Sequence, residues 1–140
     1  MVAVTIMLDV ALNAGRSETV NAAEIAERLG LARRGIEPVM QALSRAELLR
    51  SVRGPGGGYR LGRARREIRL SDIADAVMED AAGEPVASGR LAIAVVEPLW
   101  RDLEAETRKA MAAITVEDLL RRAAAAGLRK AATEPLNYAI

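Results

Sequence analysis

Eleven arginines fall between residues 28 and 69 against three glutamates. That stretch therefore carries +8, the rest of the 140-residue chain −7, and the whole only +1. Just two of the 20 basic residues are lysine. A guanidinium presents a planar fork of donors that matches phosphate oxygens and the edge of guanine. An arginine-only basic segment thus points to nucleic acid rather than to solubility alone. The arginines have a focus in Leu48–Leu61, LLRSVRGPGGGYRL, where two short apolar-basic runs flank Gly54-Pro55-Gly56-Gly57-Gly58 and Arg53 and Arg60 sit just outside the tip. Proline fixes its own φ and glycine accepts positive φ, so this reads as a hairpin tip and not a helix. A narrow basic hairpin can lie along a phosphate backbone and push a side chain into a groove; taken alone, it can equally be a surface hairpin with no ligand.

Other chemistries are excluded by residue type. The chain has no cysteine and no histidine, which removes disulfides, thiolate metal sites, cysteine-ligated iron–sulfur clusters and every catalytic device built on Cys or imidazole. No metal ligand set and no catalytic constellation is expected. The glycines of GPGGG do not fit G-x-G-x-x-G, because Tyr59 stands where the last glycine belongs, and no G-x-x-x-x-G-K-[ST] occurs. No apolar run approaches membrane-spanning length and no signal-peptide pattern opens the chain, so a cytoplasmic protein without a membrane partner is the expectation.

The elements around the hairpin sharpen its meaning. Residues 2–14 read as a helix with Val4, Leu8, Ala11 and Leu12 on its buried face, broken by Gly15 and Ser17. Asn21 and Glu24 form the reciprocal capping-box pattern for a short helix from Ala22 to Leu29 that stops at Gly30. A second helix runs from near Ala32 to about Ala46, with Ile36, Met40 and Leu43 facing a core and Arg34, Glu37, Gln41 and Arg45 facing away. Pro38 lies inside it, where it removes one hydrogen bond and should bend the axis. Two amphipathic helices joined by a turn are common. Followed at once by a basic glycine-rich hairpin, they spell helix, turn, recognition helix and wing.

Beyond the hairpin, Ser71-Asp72 is the expected N-cap of a helix through Met78. With 51% hydrophobic residues but only 2% aromatic (Tyr59, Trp100 and Tyr138), the core must be aliphatic and rich in alanine, and a second copy is expected to complete it. Ile93, Val96, Trp100, Leu103, Thr107, Ala110 and Ile114 recur at steps of three and four, a heptad seam suited to a dimer helix; an ordinary amphipathic helix packed on its own domain has the same pattern. Thr115 and Asp118 form a second capping-box pattern, for a helix from Val116 to Ala126 that closes at Gly127. The expected organisation is a DNA-binding domain over 1–79, a linker over 80–90, a dimerisation helix and following helix over 91–127, and a tail over 128–140. The fold class is mainly α with a small β-hairpin wing: a winged helix-turn-helix domain plus a long dimerisation helix.

AVTIMLDVALN (3–13), AEIAERLGL (23–31), SVRGPGGGYRL (51–61) and LWRDL (99–103) together resemble the IscR/NsrR-type family of bacterial winged-helix transcription regulators. The similarity runs from about residue 3 to residue 120, and the hairpin is its most specific part. The resemblance implies a dimer whose long helix crosses its partner. It places Arg33 and Arg34 on the first turn of the recognition helix, Glu37 where some members read a base edge, and Arg53 where the family inserts a wing arginine into the minor groove. A carboxylate can accept from cytosine N4, so the role given to Glu37 is physically sensible. The DNA-facing set is completed by Gln41 on the helix and by Gly54, Gly56, Gly57, Tyr59 and Arg60 of the wing. Ile93, Val96, Trp100, Leu103, Ala110 and Ile114 make up the dimer seam.

The departures matter too. Cluster-binding members carry three cysteines before the LW motif, and IscR-type members add a histidine three residues before the tryptophan. Here the loop has no cysteine and Glu97 stands at the histidine position. Gly35 replaces a bulky aromatic of the recognition helix, and Glu47 replaces the glycine that normally ends it. The family also carries further residues, basic ones among them, before the segment matching Ala3, which implies a late start or a shortened chain. The expected function is a homodimeric, sequence-specific regulator binding double-stranded DNA without a cysteine-ligated cluster. Its effector is a small molecule near Trp100 or a partner protein on the acidic C-terminal half, unless abundance alone regulates it. The alternative is a protein-interaction subunit that keeps the winged-helix scaffold without reading bases.

Overall fold

The computed structural model describes residues 1–15, 18–78 and 87–129. Helix α1 (Val2–Asn13) is apolar nearly all round and sits at the centre of the fold, packed by α2 (Ala22–Leu29), α3 (Arg33–Arg45), α4 (Leu70–Met78) and α6 (Val116–Ala125). Its fully buried stripe is Ala3, Ile6, Met7 and Val10, not the Val4–Leu8–Ala11–Leu12 face expected from the sequence. Both stripes have helical spacing. Packing on several sides decides between them, and Val4, Leu8 and Ala11 remain as a half-buried flank. The core is aliphatic as expected, with Ile36, Met40 and Leu43 of α3 in one buried cluster with Ile68 and Ile73.

Local signals set most helix ends. Asn21 accepts from the Glu24 amide while the Glu24 carboxylate accepts from the Asn21 amide, so the capping box of α2 is complete. α3 spans Pro38 without interruption; Pro38 is exposed, and the carbonyl of Arg34 that it leaves without a helical donor lies in the solvent-facing first turns. α4 begins one residue before the expected Ser71-Asp72 cap. Asp72 acts from within the first turn by accepting the Arg69 amide at 2.9 Å, and Ser71 is buried.

The hairpin pairs β1 (Leu49–Val52) with β2 (Gly58–Leu61), placing Leu49 opposite Leu61, Arg50 opposite Arg60, Ser51 opposite Tyr59 and Val52 opposite Gly58. A third piece joins at the far edge: the Val20 amide donates to the Tyr59 carbonyl and the Tyr59 amide to the Val20 carbonyl, at 2.9 and 2.7 Å. A Cβ on Gly58 would lie 2.7 Å from the Val20 carbonyl oxygen, so only glycine permits this approach.

After the linker, most of which lies outside the described residues, helical structure resumes at Arg90, passes through π-type turns at Ala92–Val96 and continues as α5 (Glu97–Ala112). Pro98 stands in the first turn of α5, where its missing amide proton costs least. Nothing on α5 is buried, and α5 ends before Ile114. Ile114 instead lies in a short connection stitched to the core: its carbonyl accepts the Leu70 amide, and Val116 donates to the Ile68 carbonyl. α6 follows under a complete Thr115–Asp118 capping box and returns Val116, fully buried, to the domain built on α1.

Candidate nucleic-acid interface

Arg33, Arg34, Glu37 and Gln41 all lie on the exposed side of α3, opposite Ile36, Met40 and Leu43. Spacing makes neighbours of Arg33 and Glu37, whose Nε and Oε1 are 3.4 Å apart on side chains more than half exposed. An exposed pair at that distance contributes little to stability and opens readily for a ligand. Gly35 leaves open space where a side chain would project, so the helix surface is flatter there than the family's aromatic would make it.

The wing tip is a tight turn. The Gly57 amide donates to the Gly54 carbonyl at 2.8 Å across Pro55 and Gly56, and Gly56 has φ +74°, the residue order of a type II turn. The tip is also tied down from outside the hairpin, because the Thr19 hydroxyl donates to the Gly56 carbonyl at 2.6 Å. Arg53, Gly54 and Gly56 are exposed at this tip. Tyr59 is half-buried with its ring against the core and both backbone groups engaged by Val20, so it props the wing. Arg60 sits back from the tip, opposite Arg50.

Part of the arginine excess is spent inside the molecule. Arg28 is bound to Asp9 and Arg65 to Glu117, each at 2.8 Å, while Arg63 donates to the Ala46 carbonyl. Arg34 and Arg53 have no such partner among the described residues, and both belong to the α3 and wing surfaces. The sequence offered no sign of the Thr19 tether, whose partner is 37 residues away.

The apolar seam of α5 and of the π-type turns before it is open. Ile93, Val96, Trp100 and Leu103 are all exposed, Trp100 by 60%, as is Ala110. The inner side of α5 is fastened to its own domain, by an Arg108–Asp75 ion pair and by the Arg69 guanidinium donating to the Ala112 carbonyl at 2.7 Å. Trp100 stands on this open seam and is not among the residues lining the two clefts, one beside Ala42 and Ala76 and one at the base of the wing.

A helix pair, a recognition helix with its polar face exposed and a tethered two-stranded wing define a winged helix-turn-helix protein. The chain belongs to the Rrf2 family, described as iron-dependent transcriptional regulators, whose model matches residues 1–122. It is 39% identical over 124 residues to the HTH-type transcriptional regulator IscR of Sodalis glossinidius, covering 84% of this chain and 73% of that protein. IscR of T. potens superposes with a TM-score of 0.71 at 29% identity, over 92% of this chain and 88% of that one. CymR, the global cysteine regulator of B. subtilis, gives 0.66 at 26% identity, over 86% and 91%.

The family description names iron, but the donor set of this chain does not fit a thiolate-ligated cluster. There is no cysteine or histidine to bind one, and among the described residues no group of three or more His, Cys, Asp or Glu could hold a metal ion. Glu97, at the position where the resemblance expected histidine, is an exposed carboxylate. No described helix is long and apolar enough to cross a membrane.

Proposed function

We propose that the protein is a homodimeric, sequence-specific DNA-binding transcription regulator, repressor or activator, that works in the cytoplasm without a cysteine-ligated iron–sulfur cluster. The observation that carries this reading is the pairing of two exposed cationic features on one rigid frame: the first turn of α3, with Arg33 and Arg34, and the wing tip, with Arg53, held by Thr19. Arg34, Glu37 and Gln41 are the side chains that would meet base edges in the major groove, and Arg53 the one that would enter the minor groove. Gly54, Gly56 and Gly57 bring the wing backbone close to phosphates. Two copies joined along the α5 seam would offer their recognition helices to successive major grooves about one helical turn apart.

Selection of bound sequences from random duplex fragments, followed by fluorescence anisotropy at two salt concentrations, tests the reading. A palindromic motif bound with a steep salt dependence is the expected result. Arg53→Ala should weaken all sequences more evenly than Arg34→Ala, which should relax preference at one base position. Wild-type binding by both variants would refute the interface. Salt-sensitive binding without a motif would leave a phosphate-binding surface that reads no bases, and no binding at low salt would favour a protein-interaction subunit.

A further inference from the structure

Arg50 and Arg60 stand directly opposite each other across the hairpin, and neither has a carboxylate partner among the described residues. Like charges so placed destabilise a strand pair, and an arrangement of this kind is relieved by an anion between them. The pair opens into a cleft of about 780 Å³ between the hairpin, the end of α1, the segment after β2 and α6. Arg63, Arg65, Arg66 and Arg121 also line it, and its single carboxylate, Glu117, is already engaged by Arg65 at 2.8 Å. Arg66, like Arg50 and Arg60, has no acidic partner among the described residues.

The shape narrows the ligand. Ala11, Ala14, Gly15, Leu61 and Ala64 form the rest of the wall, so small apolar groups lie beside the guanidinia. The cleft is partly open to solvent, and its volume exceeds what one inorganic anion fills. Guanidinium forks bind phosphate oxygens in pairs, and an apolar wall accepts a ring or carbon chain. A DNA duplex presents a convex rod, which suits a protruding helix and wing tip better than a recess walled by α1 and α6. We propose that this cleft binds a small phosphorylated organic anion of the nucleotide class, held by Arg50, Arg60 and Arg66. Such a ligand would join the base of the wing to α6. The binding itself does not depend on DNA recognition.

The test uses the full chain with ADP as probe, sodium sulfate at matched ionic strength as control, and a DNA duplex as competitor. ADP should raise the melting temperature of the wild type beyond the sulfate control. Its affinity should drop by about tenfold or more in the Arg50→Gln/Arg60→Gln double variant and be unchanged in Arg53→Ala. The double variant removes a repulsion and should itself melt no lower than wild type, which keeps the comparison free of misfolding. No effect beyond sulfate, or an undiminished effect in the double variant, overturns the proposal. So does a double variant that loses duplex binding while ADP never binds, since the arginines would then be seats for the DNA backbone.

Discussion

Asp9 of α1 and Arg28 of α2 meet in a two-pronged bridge, with Nε and Nη2 of the guanidinium each 2.8 Å from a different carboxylate oxygen. The carboxylate side chain is only 10% exposed and is also held from its own helix, where the Asn13 amide donates to Oδ1 at 3.3 Å. The hydrogen bonds to Asp9 raise the pKa of Arg28 above its ordinary value, as expected for a cation held by a carboxylate. This bridge ties the helix at the centre of the fold to the first helix of the helix-turn-helix.

Replacing that carboxylate should therefore cost stability and not DNA contacts. Asp9→Asn keeps the size and loses the charge-assisted pair, for a destabilisation of about 1 kcal/mol given the exposure of Arg28. Chemical denaturation reads the loss, and duplex affinity measured well below the melting temperature should stay at the wild-type level. A weakened affinity with unchanged stability would mean that Arg28 belongs to the DNA surface.

Glu47 offers a gain. Three helices end in the same motif, in which the chain turns through the left-handed region. Leu31 donates back to Ala26, Leu48 to Leu43 and Leu128 to Ala123. Two of the turning residues are glycine, Gly30 at φ +66° and Gly127 at φ +79°; the third is Glu47 at φ +59°, the one non-glycine residue with positive φ among those described. A side chain there is strained, and Glu47→Gly relieves it while loosening the unfolded chain. The net expectation is a stabilisation of about 0.5–1 kcal/mol, read as a higher denaturation midpoint with an unchanged slope. An unchanged or lower midpoint would show that the Glu47 side chain holds something the backbone does not reveal.

What was legible in the sequence was local. The capping boxes at Asn21 and Thr115 need only a residue and its third neighbour, and the glycines of the wing tip need only their own φ, so α2, α6 and the hairpin were readable in advance. What needed distant partners was not. The Thr19 tether and the Val20 edge bridge link segments far apart in sequence, and nothing in either segment announces the other. An almost wholly apolar helix offers two stripes of equal period one residue apart, and only packing on several sides selects Ala3, Ile6, Met7 and Val10 in α1. A place in a basic run does not tell which way Tyr59 faces; strand alternation puts it with Leu49 and Leu61 toward the core, while Arg50 and Arg60 share the other face. Net charge over 28–69 overstates the basic surface, since Arg28 and Arg65 are paired with Asp9 and Glu117 from outside that stretch.

The exposed seam of α5 is the natural place to test self-association. Trp100 and Leu103 lie one helical step apart and are 60% and 52% exposed, so neither is needed for the core of the single chain. The double variant Trp100→Glu/Leu103→Glu would place two charges at the centre of a proposed two-fold interface, where desolvating them costs several kcal/mol, about enough to dissociate a micromolar dimer. Sedimentation should report two protomers for the wild type and one for the variant, with helix content retained. A wild type that sediments as a single chain at high concentration would remove the dimer from the proposed function.

The Thr115–Asp118 box makes a prediction about acid. The Thr115 amide donates to Asp118 at 2.9 Å, and this bond, then that of the Thr115 side chain, lowers the carboxyl pKa below its ordinary 3.8, with Arg121 and Arg122 adding to the effect. A carboxyl whose pKa is lower folded than unfolded contributes stability that is complete above the unfolded value and is lost as pH falls through the folded one. The contribution of Asp118 should accordingly be constant from neutral pH down to about 3.8 and shrink only below that. Melting curves of wild type and Asp118→Ala across this range measure it directly: a constant gap at higher pH, closing in the acid limb. Because the cap starts the helix that returns Val116 to the core and stitches residues 65–70 to 114–117, fraying there should also loosen the seat of α5 on Arg69. A gap that begins to close well above the unfolded pKa would mean that Asp118 is not held in its charged form by the cap.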